Sequence, residues 1–342
     1  MFFLLGGIQI KSIFDNKNSS QADARKTEVL KKKELVKVPK KEIIKKTEKP
    51  EKKIKKNAEK KVVKLPEKET SKSPEKVREF ILPDLNLKTE TVLSLFADVE
   101  YDLNKVRKNK LVKPIYFTQF PKDLDEISSV QLKKETFIKI ILPLVVAENQ
   151  KIINDREKLK GLSSKKMTSD KEKSWLRQKF KEYKIKNGSM KELIHRMDII
   201  PVSVAIAQAA KESGWGTSRF ALEGNAIFGQ WTWNGRGIAP LYRSKEESHK
   251  ILRFPILRAS VKAYKNNLNT HKSYKEFRDK RSLLRSKRRS IAGMKLIHTL
   301  DNYAETGEEY TKILAQIIEQ NSLEEFDNVK LTNSVEKKEL NL

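Results

Sequence analysis

Ile199-Ile200-Pro201-Val202-Ser203-Val204-Ala205-Ile206-Ala207-Gln208-Ala209-Ala210-Lys211-Glu212-Ser213-Gly214-Trp215-Gly216-Thr217-Ser218 is the stretch on which the fold turns. Ser203 predicts an N-cap for a helix from Val204 to about Glu212. Its alanines let neighbours come close, and Gly214 and Gly216 predict its end. Glu212 then falls on the last turn of a nearly apolar helix, where the helix dipole disfavours an anion. Partial desolvation there raises a carboxyl pKa, which suits a general acid at neutral pH. Gln208 lies one turn back on the same face. The bland alternative for Glu212 is a helix-end carboxylate paired with Arg219 or Lys211.

Downstream, a second helix is expected from Thr217 or Ser218 to Gly224. Asn225-Ala226-Ile227-Phe228-Gly229-Gln230-Trp231-Thr232-Trp233-Asn234-Gly235-Arg236-Gly237 alternates aromatic and polar residues into a glycine-rich turn, which predicts a short hairpin or sheet lobe. Flat rings with polar edges beside a carboxylate make good sugar platforms. Glu246 and Glu247 follow Glu212 at a distance of 34 and 35 residues, a second pair of carboxylates. Helices are expected at Leu257–Leu268, Ser273–Arg281, Gly293–Thr299 and about Glu308–Asn321. The tail from Asn328 to Leu342 reads as polar and frayed.

Upstream, Thr91–Arg107 reads as one helix and Pro114-Ile115-Tyr116-Phe117 as extended. Gln131–Arg156 carries Phe137, Ile140, Ile141, Leu144, Val145 and Ile152 on one face, with a kink expected at Pro143. Lys171–Tyr183 is a further amphipathic helix, and Gly188 with Ser189 is a stop followed by an N-cap.

The chain has 342 residues and a net charge of +28, so the location of the charge matters. Arg25 to Arg78 holds 22 Lys plus Arg against 9 Glu, a net of +13, with no aromatic residue between Phe14 and Phe80. Such a stretch cannot bury enough apolar area to offset its chain entropy. Residues 15–79 are therefore expected to be a disordered basic linker. It also helps explain a hydrophobic content of 37%, against the usual 45–50% or so. The apolar start, residues 1–14, is too short to span a membrane. It reads either as the remnant of an export signal or anchor, or as a hydrophobic start without a role. Zero Cys excludes a disulfide scaffold, thiolate metal sites and a Cys nucleophile.

The blocks Gln208-Ala209-Ala210-Lys211-Glu212-Ser213-Gly214-Trp215-Gly216 and Gly224-Asn225-Ala226-Ile227-Phe228-Gly229 together resemble the glucosaminidase domain of glycoside hydrolase family 73, in its Bax-type branch. Arg196–Pro201, Tyr264–His271, Tyr303–Tyr310, Phe120–Leu124 and Ile141–Leu144 resemble it too, so the likeness spans about residues 110–325. The resemblance implies a lysozyme-like α+β domain, mostly helical with a small β lobe, at about 189–327. A helical extension (80–188) and the basic segment precede it, and a polar tail (328–342) follows. It further implies cleavage of the β-1,4 bond after N-acetylglucosamine in peptidoglycan, with no cofactor. Glu212 would be the general acid, and Glu246 or Glu247 the second carboxylate unless the substrate's acetamido group serves. Tyr303 matches a tyrosine bordering the family's cleft. Ala226-Ile227-Phe228 stands where relatives tend to have Asn or Leu before Phe-Gly.

The expected catalytic residues are thus Glu212, Glu246, Glu247 and Tyr303. The expected substrate-binding residues are Gln208, Asn225, Phe228, Trp231 and Trp233. Gln208 reads equally as a buried, satisfied amide, Trp215 as core beneath the cleft, and Tyr303 as a packing residue. His195, His249, His271 and His298 make no metal-binding spacing. The basic segment reads first as a solubilising spacer and second as an arm against an anionic envelope surface. Nucleic acid is not an expected partner, because the segment lacks interleaved aromatics. The basic run Arg278–Arg289 could face an anionic wall polymer or be a solvated helix face. Periplasm or cell envelope is the expected location, with an N-terminal anchor as one reading. A non-catalytic glycan-binding scaffold of the cell envelope is the alternative function, and a basic nucleic-acid-binding protein ranks behind it.

Overall fold

The structure is a computed structural model and describes residues 86–332, except 166, 233–236 and 240–249. The apolar start, the basic linker and most of the polar tail lie outside those residues. The described residues belong to one compact unit, Lys76–Leu342. Among them, no helix is long and apolar enough to cross a membrane.

The centre of the fold is helix α3, Val130–Ser163, which follows α1 (Thr89–Asp98) and α2 (Leu103–Asn109). Ser129 caps α3 by accepting a bond from the Leu132 N–H. Every residue from Ile140 to Asn149 is buried, as are Thr136, Phe137 and Ile138, and only Lys139 of this stretch is half-buried, so this part of the helix is enclosed on nearly every side. Pro143 lies inside α3 without ending it. Phe137 is fully buried; truncating such a ring costs about 3–5 kcal/mol.

Helix α4 (Asp170–Glu182) opens with a reciprocal capping box between Ser169 and Glu172. Helix α5 (Met190–Arg196) opens at the expected cap, Ser189. Next comes α6, Val202–Ser213, buried from Val202 to Ala210 and packed on α3. It begins two residues earlier than expected. Pro201 is its N-cap and has no side-chain bond to offer. Ser203 instead lies inside the first turn: its N–H and Oγ–H donate to Asp327 Oδ1 and Oδ2 at 2.8 and 2.9 Å. The Gly293 N–H donates to the same Oδ2 at 2.9 Å. A Cβ on Gly293 would overlap Ser203 Oγ, so only glycine lets the chain approach the helix here. One carboxylate from the end of the fold thus supplies the cap that the sequence assigned to serine.

Other departures are local. The expected helix Thr91–Arg107 is two, because Glu100 takes a left-handed backbone (φ 46°) between them. Pro114–Phe117 belongs to no strand, and a short strand, β1, precedes it at Leu111–Val112. It pairs in parallel with β5, Lys330–Leu331, so the start of the expected frayed tail is ordered. Helix α7 (Arg219–Gly224) starts at its Ser218 cap. The lobe holds three strands in the order β2 (Trp231–Thr232), β4 (Lys250–Leu252), β3 (Gly237–Ile238). β2 and β3 do not pair as a hairpin; both pair antiparallel with β4.

Helices α8 (Leu257–Thr270), α9 (Lys275–Ser286) and α10 (Glu308–Gln320) complete the fold, with 3-10 turns at Gly293–Lys295 and Ile297–Tyr303. One core joins residues of α1, α3, α6, α8 and α10. The expected segments 80–188 and 189–327 therefore share a core. The basic run on α9 is partly internal: Arg281 is buried against the carbonyls of Asp198 and Ile199 and the Asn269 side chain, and Arg278 is buried too.

Candidate active site

Glu212 sits on the last turn of α6. Gly214 ends the helix at φ 57°, and Trp215 follows at φ 59°. A left-handed backbone is costly for a bulky residue. Trp215 is held in it by its N–H, bonded to the Ala210 carbonyl at 2.9 Å, and by its ring, edge-on to Phe137 at 5.5 Å. Beside it, Gly216 leaves no room for a side chain: a Cβ would come within 3.0–3.1 Å of Phe120 and Leu124. The helical extension therefore supports the turn directly after Glu212.

Neither Arg219 nor Lys211 pairs with Glu212 in an ion pair; Arg219 turns to Glu223. The partner is Tyr310 of α10, whose Oη donates to Glu212 Oε1 at 2.9 Å. Gln208 Nε2 donates to Tyr310 Oη at 2.9 Å, and Tyr264 Oη of α8 donates to Gln208 Oε1 at 2.6 Å. The chain of hydrogen bonds starts at Tyr264. Its phenol is buried, and Gln208 Oε1 is its acceptor. That fixes the amide with Nε2 toward Tyr310, which leaves Tyr310 its own proton to give to Glu212. Oε1 is thus an acceptor, and a protonated Glu212 carries its proton on Oε2.

Oε2 faces Gly229, where a Cβ would lie 3.3 Å away and φ is +58°. Glu212 is only partly exposed. Burial raises its pKa above the ordinary carboxyl value; the Tyr310 bond and the Lys211 charge pull the other way without cancelling it. Burial likewise raises Tyr310, so the phenol stays a donor.

The other expected residues fall in three groups. Gln208 is buried and satisfied at both ends of its amide, joining Glu212 through Tyr310. Phe228 is buried, stacked on Tyr264 at 3.8 Å, and its carbonyl accepts from Tyr303 Oη at 3.1 Å. Tyr303 is partly buried and stacks on Tyr310 at 5.6 Å. These three meet around Glu212. Asn225 does not reach it: it is a buried, left-handed C-cap of α7 whose Nδ2 donates to the Phe254 carbonyl. Trp231 is 54% exposed on β2. Trp233, Glu246 and Glu247 lie outside the described residues. Sequence reading missed Tyr264 and Tyr310. Both sit in blocks that it quoted, but only the fold brings them to Gln208.

Residues 187–323 match the glucosaminidase family model described as mannosyl-glycoprotein endo-beta-N-acetylglucosaminidase. The protein bax of Escherichia coli (strain K12) is 32% identical over 205 residues, which cover 58% of this chain and 73% of that protein. The chain belongs to the Bax-type glucosaminidase family. The described residues of this Bax-type glucosaminidase are mostly helical with two small sheets, as expected. Among solved structures, the catalytic domain of the autolysin Auto from Listeria monocytogenes is 17% identical. It covers 51% of this chain and 97% of its own, at a TM-score of 0.30, too low to bear on the fold.

Proposed function

We propose that this chain is a peptidoglycan hydrolase of the cell envelope that cleaves the β-1,4 bond after N-acetylglucosamine, with Glu212 as general acid. One observation carries the reading. A carboxyl group whose pKa is raised by burial ends a buried helix, with one oxygen held by Tyr310 and the other beside Gly229. In the reaction Glu212 Oε2–H protonates the departing glycosidic oxygen as the C–O bond breaks. The Tyr310 bond then stabilises the carboxylate that remains. Either Glu246 or Glu247 supplies the second carboxylate, or the substrate's acetamido group does. Trp231, exposed on the lobe, serves as a sugar platform. The basic arm keeps the enzyme near an anionic envelope surface.

The test is Glu212→Gln on purified peptidoglycan. Glycan cleavage is expected to fall about 100- to 10,000-fold with the fold intact. Mass spectrometry of the wild-type digest should show N-acetylglucosamine at the new reducing ends. Cleavage by the variant at the parent rate would sink the assignment. Binding to insoluble peptidoglycan without release of reducing ends would favour a scaffold instead.

A further inference from the structure

A second cavity, of about 570 Å³, lies between α5 and α9 and takes no part in the proposed chemistry. Its charges divide into spent and unspent. Glu192 is held by Arg196 at 2.6 Å, and Asp279 by Lys275 at 2.6 Å. Lys191 and Lys272 also line the cavity, and neither makes an ion pair among the described residues. Arg278, 3% exposed, gives Nη1 to the carbonyls of Leu268 and His271, but its buried Nε has no partner. Burial first, and then the Arg196 charge, hold the Arg278 pKa below its ordinary value, while Glu192 and Asp279 pull the other way.

His195 adds the opposite polarity. Burial lowers its pKa, which favours the neutral ring. Its Nε2 lies 3.0 Å from Asp279 Oδ1 and so holds the ring proton. Nδ1 is then an acceptor, buried and without a partner. The cavity therefore has an unused buried donor, an unused buried acceptor and two unpaired ammonium groups. Phosphate has little use for the acceptor, and a neutral sugar little use for the ammonium groups. A peptide with a free carboxylate uses all of them: the carboxylate meets Arg278, Lys191 and Lys272, and an amide N–H meets His195 Nδ1.

We propose that this cavity binds the carboxylate-bearing peptide stems of the glycan, which rests on peptidoglycan being the substrate. Its position suits that role. Thr270 lines the cavity six residues after Tyr264 on the same helix, a rise of about 9 Å. Lys272 also lines it, while Tyr274, in the same turn, packs its ring 5.9 Å from Tyr303.

The test compares glycan strands that bear stem peptides with the same strands stripped of them, using the full chain. Wild type should show a lower KM for the peptide-bearing strands. Lys191→Glu with Lys272→Glu, both exposed, should raise that KM about tenfold while KM on stripped strands stays. A free stem tetrapeptide should bind Glu212→Gln protein, and the two charge reversals should abolish the binding. Equal KM values for both strands in wild type, or binding of inorganic phosphate but not of tetrapeptide, would overturn the proposal. Tetrapeptide binding with neither strand cleaved would instead overturn the hydrolase reading and leave the cavity's role standing.

Discussion

Tyr310 Oη stands 2.9 Å from Glu212 Oε1, and its proton points at the carboxylate because Gln208 occupies its acceptor side. A general acid must present its proton from a fixed atom. Under the proposed mechanism, three buried side chains, Tyr264, Gln208 and Tyr310, select that atom as Glu212 Oε2.

Tyr310→Phe keeps the ring against Tyr303 and removes one hydroxyl. The hydroxyl lowers the Glu212 pKa, so its loss raises it further. The alkaline limb of the pH profile of kcat/KM should move to higher pH, and kcat should drop about tenfold through lost stabilisation of the carboxylate. Gln208 Nε2 is left without a partner, at about 1–3 kcal/mol in an unfolding titration. A pH profile that superposes on that of the wild type would contradict the arrangement.

Gly229→Ala places a methyl group 3.3 Å from Glu212 Oε2 on a left-handed backbone. The backbone penalty is about 1 kcal/mol. Activity should fall well beyond what that destabilisation explains, since the methyl crowds the proton-bearing oxygen. Steady-state rates beside thermal unfolding of the same sample separate the two effects.

Asp327 has its pKa raised to about 6, chiefly by burial and despite three donated hydrogen bonds. The folded protein thus binds this proton more tightly than the unfolded chain does. Its effect favours folding as pH falls from 7 toward 4, and the gain is lost as pH rises through about 6. The shift is worth at most about 3 kcal/mol. Asp327→Asn should remove that pH-dependent part, so the stability gap between wild type and variant widens between pH 7 and 5. Denaturant titrations at the two pH values measure it.

A fragment limited to residues 187–323, the span of the family match, lacks α3 and Asp327. It strips the buried face of α6 of its main neighbour and its N-terminal cap. The fragment should be insoluble or lack near-ultraviolet circular dichroism, whereas residues 86–332 should unfold cooperatively.

Much of this was legible before the fold. Glu212 could be placed at a helix end because Gly214 and the alanines encode that end locally, and Ser189 caps where its spacing says. Ser203 failed as a cap because its partner, Asp327, is 124 residues away. Tyr310 and Tyr264 stayed invisible for the same reason: each meets Gln208 across 102 and 56 residues. Of the two readings of the lobe, hairpin or small sheet, the sheet holds, because β4 enters between strands that are neighbours in sequence. Arg281 looked like surface charge, yet it caps carbonyls inside the fold, which no local pattern encodes.

The pairing of Leu111 with Lys330 sets an order of events during synthesis. Nearly the whole described chain must emerge before this ladder can close, and loops of that size close late. Tyr310 and Asp327 belong to the same late stretch. A growing chain thus displays Glu212 long before it owns the phenol that orients it or the carboxylate that seats its helix. The hydrogen-bond network around Glu212 and its helix closes only once residues 310–331 have been made.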